Sequence, residues 1–185
     1  MQLIKNHERT TMNLSPFEES CMLEAIEEAR KGLTEGGIPI GSVIEHNGKI
    51  IGRGHNRRIQ NGSAIPHGEM DALENAGRLP AGVYRECTLY TTLSPCPMCT
   101  GAILLYQIPR VIIGENKTFM GDEKLLESRN VKTMVLQDHR CIEMMEQFIL
   151  KKPTLWNEDI GVWYFPDNLL LCFFHHLCNL NIILC

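Results

Sequence analysis

The sequence predicts an α/β domain of three layers, with helices on both faces of a central mixed sheet of about five strands. Three observations carry this. Two β-rich runs flank Asn47-Gly48, and Asn-Gly supplies the positive φ that a tight turn between antiparallel strands needs at both central positions. Beyond that hairpin, helical and strand patterns alternate up to residue 150, which places the later strands parallel, with helices crossing between them. The length of 185 residues suits one domain, enough to bury about two-thirds of the surface of the unfolded chain.

The elements follow in order. Residues 1–14 carry no periodic pattern and read as a flexible arm, in which Met12 is a second candidate start. Ser15-Pro16-Phe17-Glu18 combines a serine cap, a proline at the first helical position and an acid three residues after the serine. Met22, Leu23, Ala25, Ile26, Ala29 and Leu33 then recur at helical spacing until Gly36-Gly37 ends the helix. The hairpin strands occupy 38–45 and 49–54, and a long polar loop is expected over 55–66; loops of that length in compact domains tend to carry function. Helices are expected from His67 to Gly77 and over 99–106, 122–129 and 140–150. Strands are expected at 88–93, 110–114 and 132–136.

Composition narrows the function. Apolar residues at 44% and charged residues at 22% match soluble globular proteins. The net charge of −4 offers no general attraction to phosphate backbones, so no nucleic acid is expected as a partner and a small neutral substrate fits better. Eight cysteines suggest a disulfide framework, yet the polar start lacks the apolar core of a signal peptide. The expectation is therefore a reducing intracellular compartment and free thiols, with Cys21, Cys87 and Cys141 as buried filler.

The chemistry concentrates between His67 and Cys99. His67-Gly68-Glu69 is followed about 25 residues later by Pro95-Cys96-Pro97-Met98-Cys99, the H-x-E and P-C-x-x-C pattern of zinc deaminases. One imidazole and two thiolates, from His67, Cys96 and Cys99, would hold a single Zn²⁺ and leave a fourth position for water, as in catalytic sites. Both pairs fall at the start of predicted helices, whose positive ends favour thiolates. Glu69 is the expected proton carrier. Cys96-x-x-Cys99 alone also suits a redox pair or half a structural zinc site. A structural site needs a fourth ligand, however, and Cys87, His55 and His139 have no spacing that singles them out.

Around this core the chain resembles the fungal, yeast-type cytosine deaminases of the cytidine-deaminase-like superfamily. The resemblance rests on Gly52-Arg53-Gly54-His55-Asn56, His67-Gly68-Glu69, Leu73-Glu74-Asn75 and Thr88-Leu89-Tyr90-Thr91-Thr92-Leu93-Ser94-Pro95-Cys96. It extends through stretches at 35–41, 98–103, 108–110, 114–116 and 156–161. It implies a cytoplasmic enzyme, also admitted to the nucleus, that deaminates cytosine to uracil in pyrimidine salvage and accepts 5-methylcytosine and 5-fluorocytosine. A homodimer is implied too. On this resemblance Asn56 reads the oxo and N–H groups of the pyrimidine edge, Asp159 meets the exocyclic amino group, Phe119 and Trp156 pack on the ring, and Ile38, Gly68 and the main chain of Ser94 line the pocket. From the residues alone, Asn56 is equally a turn residue, Phe119 and Trp156 plain core, and Asp159 a surface helix residue.

Two departures stand out. Asn157 occupies a position where the family carries an aromatic residue, within the segment expected to close the pocket. Beyond the deaminase domain expected over 15–161, residues 162–185 form an atypical hydrophobic tail; its last seventeen residues are mostly apolar, at the lower limit for a bilayer span and interrupted by His175 and His176, and no membrane role is expected. The alternative function is deamination of a nucleoside, a nucleotide or tRNA adenosine on the same fold. Phosphate users need clustered cations, and near the pocket loop only Arg53, Arg57 and Arg58 qualify.

Overall fold

The computed structural model describes residues 14–162. Apart from residues 14 and 162, the expected arm and tail lie outside the described part of the chain. The elements are α1 (Pro16–Thr34), β1 (Gly41–His46), β2 (Lys49–His55), α2 (Arg58–Asn61), α3 (Gly68–Ala76), α4 (Ala81–Tyr84) and β3 (Cys87–Leu93). They continue with α5 (Pro97–Tyr106), β4 (Arg110–Glu115), α6 (Glu123–Ser128), β5 (Lys132–Val135), α7 (His139–Lys151) and α8 (Pro153–Asp159). The capping box forms as read, with the Glu18 backbone N–H donating to Ser15 Oγ and the Ser15 N–H to the Glu18 carboxylate. Leu23 and Leu33 are exposed, so the buried stripe of α1 is narrower than its apolar pattern.

The five strands form one sheet in the order β2-β1-β3-β4-β5. β1 is antiparallel to both β2 and β3, whereas β3, β4 and β5 run parallel. Asn47 and Gly48 close the hairpin with φ of 50° and 75°. Alternate side chains of the central strands feed two cores. Ile44, Leu89, Val111 and Ile113 meet Ala72, Leu73, Ile103 and Leu126 of α3, α5 and α6 on one face. Val43, Tyr90 and Ile112 meet Cys21, Met22, Ile26 and Cys141 of α1 and α7 on the other. This period-two division produces the three layers, each buried aliphatic side chain contributing about 1.5–3 kcal/mol. Cys21, Cys87 and Cys141 are buried thiols, and burial pushes Cys87 up to about 11 and Cys141 up to about 12, out of reach of thiolate chemistry near neutrality.

Two close approaches position the site. A Cβ on Gly54 would lie 2.3 Å from the Ala72 nitrogen, and one on Gly52 2.4 Å from the Ala72 oxygen. The backbone of α3 therefore rests directly on β2, and its N-terminus is fixed over the sheet. A third core cluster gathers Ile38, Ile40, Leu93, Met145, Phe148 and Trp156 where α7 and α8 meet the end of β3.

The expected loop over 55–66 is more structured than its composition suggests. β2 runs on to His55, and the single-turn α2 follows, closed by Gly62 at φ 56°. One turn of helix is too short to show a period, which is also why α4 left no mark in the pattern.

Candidate active site

α3 and α5 both begin at the metal-ligand pattern. His67 is the N-cap residue of α3 and Cys96 that of α5, and neither side chain caps its own helix. Most N-caps use a short oxygen side chain to satisfy a free backbone N–H; here both positions present a nitrogen or sulfur ligand instead. Cys99 lies one turn along α5, fully buried. His67, Cys96 and Cys99 each offer an atom within 4.8 Å of the others, and His67 Nδ1 sits 3.4 Å from Cys96 Sγ.

The donor set fits zinc. A hydrogen bond from Cys99 drives Cys96 down to about 4 against the effect of burial, with His67 adding to the fall, so one thiolate is ready-made. The Cys99 thiol is pushed well up by sharing its proton with Cys96 and by burial. His67 is raised despite burial, because Cys96, Asp159 and Glu69 all favour its charged form. Two sulfurs and one imidazole nitrogen with closely shared protons suit a divalent ion that takes sulfur and nitrogen.

Glu69, in the first turn of α3, is 3% exposed. Burial raises its carboxyl above the usual range, the Cys96 charge adds to this, and His67 opposes it. The Thr91 hydroxyl lies 3.3 Å from Glu69 Oε1 and accepts from the Ser42 hydroxyl at 3.0 Å. Sequence reasoning missed Thr91 and Ser42 as site residues. Their only signal is a hydroxyl at a fully buried position on adjacent strands, where Ser42 and Thr91 pair directly.

His67, Glu69 and Cys96 face a cavity of ≈ 20 Å³ walled by Ile40, Leu93, Ser94, Phe119, Trp156, Asp159 and Ile160. Larger grooves lie elsewhere, ≈ 340 Å³ between α1 and α7 and ≈ 470 Å³ beside Tyr84. The small cavity is the one that adjoins the ligand cluster, and chemistry outweighs size here. Phe119 and Trp156 meet edge to face, centroids 6.0 Å apart. Phe119 reaches the wall because the Ser94 hydroxyl accepts from the Gly121 N–H and donates to Glu123, while the Asp122 N–H donates to the Pro95 carbonyl. Thus the side chain of Ser94, and not only its main chain, ties the aromatic loop to the cysteine loop.

The Asp159 side chain is buried, although the residue as a whole is half-buried, so it is not the surface residue that its helix alone suggests. Its carboxylate accepts from Arg58 Nη1 at 2.6 Å and from Asn56 Nδ2 at 3.2 Å. Asn56 is fully buried, and its Oδ1 accepts the Arg58 N–H at 3.1 Å. That N–H can only donate and the carboxylate can only accept, so the amide orientation is fixed. Ile38 does not reach the cavity; it packs in the third core cluster and lines an adjoining groove, while Ile40 takes the wall. Residues 38–40 precede the strand, so alternation gave no phase for them. Gly68 lies beneath the cavity, where a Cβ would come within 3.1 Å of the Ile40 oxygen and Ser42 Oγ.

Chemistry of this kind, on a sheet with this strand order, marks the class of zinc-binding deaminases. The chain belongs to the family described as the cytidine and deoxycytidylate deaminase zinc-binding region, whose model matches residues 15–115. It is 59% identical over 138 residues to a cytosine deaminase of Candida albicans, covering 74% of this chain and 92% of that one. A tRNA-specific adenosine deaminase of Streptococcus pyogenes is 47% identical over 109 residues, covering 57% and 68%. Among solved structures, a Thermotoga maritima diaminohydroxyphosphoribosylaminopyrimidine deaminase/reductase superposes with a TM-score of 0.59 at 27% identity, over 74% of this chain and 42% of the other. A guanine deaminase of Nitrosomonas europaea gives 0.58 at 22%, over 72% and 85%, and speaks to the fold alone.

Proposed function

We propose that this chain is a zinc-dependent cytosine deaminase, a hydrolase that converts cytosine to uracil and ammonia and also takes 5-methylcytosine and 5-fluorocytosine. The observation that carries this reading is the narrow, ring-walled cavity: Phe119, Trp156 and Asp159 wall it beside Glu69 and the ligand cluster. The kinship to the Candida cytosine deaminase, which spans 92% of that chain, points the same way.

Zinc, when held by His67, Cys96 and Cys99, supplies hydroxide near neutral pH. Phe119 and Trp156 pack on the ring and exclude water. The Asp159 carboxylate accepts a hydrogen bond from the exocyclic amino group, and the second Nδ2 hydrogen of Asn56 is free to donate to the ring carbonyl. Ser94 and Gly68 shape the remaining wall. Glu69 takes a proton from the attacking water and gives it to the ring nitrogen beside the carbon under attack. It then moves the proton of the added hydroxyl to the amino group, so that the C–N bond breaks, the new carbonyl forms and ammonia leaves.

Nucleotide and tRNA substrates fit less well. The three candidate phosphate-binding cations are already engaged: Arg53 with Glu24, Arg57 with Asp71 and Arg58 with Asp159. We also assign a homodimer, in the cytoplasm with access to the nucleus. Leu105, 72% exposed, and Tyr106 give the outer side of α5 an apolar face for a second copy. Purified zinc-loaded protein is to be offered cytosine, cytidine, deoxycytidylate and guanine separately, with ammonia measured. Release from cytosine is expected, and release from cytidine but not cytosine overturns the reading. A monomer by light scattering overturns the dimer.

A further inference from the structure

We propose that Arg58 is the positioning residue that sets the Asp159 carboxylate for the substrate and tethers α8 over the site. For its substrate the proposal rests on the cytosine reading; the tether itself does not.

Two residues of the β2–α3 connection, two positions apart, and one 101 positions further on form a closed ring. The Arg58 backbone N–H holds Asn56 Oδ1 at 3.1 Å, Asn56 Nδ2 donates to Asp159 Oδ1 at 3.2 Å, and Arg58 Nη1 donates to the same oxygen at 2.6 Å. Arg58 thus fixes both proposed polar contacts of the base, Asn56 through its main chain and Asp159 through its guanidinium. Nη1 also reaches the Glu158 carbonyl at 3.4 Å, at the last turn of α8. A cation there complements the helix end as well as the carboxylate.

This is not an ordinary surface ion pair. The Asp159 side chain is 3% exposed and that of Arg58 22%. A carboxylate so buried needs a partner to stay in place. Among the described residues its other basic neighbour is His67, whose Nε2 is 3.9 Å away, beyond hydrogen-bond reach. Without Arg58 the carboxylate retains only the Asn56 amide, which is then the one hydrogen bond, among the described residues, between α8 and the β2–α3 connection. Beyond that amide, α8 is held by Trp156 in the third core cluster and by packing on α7. Arg58 meets the carboxylate and the Glu158 carbonyl through the one nitrogen Nη1; a lysine ammonium on its flexible stem can meet the carboxylate but holds the longer carbonyl contact less firmly than the rigid guanidinium.

The test compares full-length wild type, Arg58→Gln and Arg58→Lys, all zinc-loaded, by steady-state kinetics on cytosine and by amide hydrogen exchange. Expected for Arg58→Gln is a KM raised about 10- to 100-fold with kcat within about threefold, as for lost ground-state and transition-state binding alike. Faster exchange is expected in α8 but not in α3 or α5. Arg58→Lys should recover most of the KM and only part of the α8 protection. A wild-type KM in Arg58→Gln, or a fall confined to kcat, overturns the substrate part. Unchanged α8 exchange in both variants overturns the tether. Should Arg58→Gln fail to fold, Arg58→Lys alone decides on the same two readouts. A wild type that releases no ammonia from cytosine sinks the cytosine reading, and exchange in α8 still decides the tether.

Discussion

Glu69 suits proton transfer because it is dry. Burial lifts its carboxyl toward the working pH, and the Thr91 hydroxyl beside Oε1 steadies the side chain between pick-up and delivery. Glu69→Gln keeps the shape but cannot carry a proton. The expected result is full zinc content with turnover down at least about 100-fold, checked by metal analysis and ammonia release; near-wild-type turnover would refute the role. At this scale the sequence is a good guide wherever the chemistry is local. His67, Glu69, Cys96 and Cys99 are recognisable from spacing, because one helical turn dictates which atoms can share an ion. Thr91, Ser42 and Arg58 are not recognisable, because their partners lie on other elements and no spacing along the chain encodes them. Ile38, implied by resemblance as a pocket residue, packs in the third core cluster and lines the groove that shares Asp159 with the cavity.

At the scale of elements, the helices stand where the glycines allow. Gly54→Ala would push α3 off β2 by backbone contact, with no flexible side chain to yield. Overpacking of this sort costs about 1–3 kcal/mol, a drop of several degrees in thermal midpoint by calorimetry, and turnover should fall with it because His67 and Glu69 ride on α3. The start of α1 makes a separate prediction. The Ser15 backbone N–H lowers the Glu18 carboxyl below its ordinary 4.5, burial opposes this, and the Ser15 hydroxyl and Arg110 lower it further. A depressed folded value means stability that is present above pH 4.5 and lost as pH falls through the folded value. Glu18→Gln should therefore be less stable than wild type at pH 7, with the difference shrinking below pH 4.5 in urea titrations. A constant difference across that window would contradict the assignment. The hairpin, the parallel strands and the capping box were all legible from turn chemistry and periodicity. The one-turn helices α2 and α4 were not, and α2 is the one that places Arg58.

For the whole molecule, every proposed site residue falls between Ile38 and Asp159, and the family match covers 15–115. Ending the chain after Gly161 should leave zinc content unchanged and deamination within about twofold, because every proposed site residue is retained. A larger loss would give the tail a part in the reaction. The order of the chain has a consequence for its synthesis. His67 and Cys96 are 29 positions apart, whereas Asn56 and Asp159 are 103 apart. At translation speeds of about 5–20 residues per second, the nascent protein exposes a full set of metal ligands for several seconds before the wall that reads the base has been made. Ion capture and base recognition are thereby separated in time. A polypeptide stalled or clipped before α8 retains the means to bind its ion and lacks the means to choose a substrate.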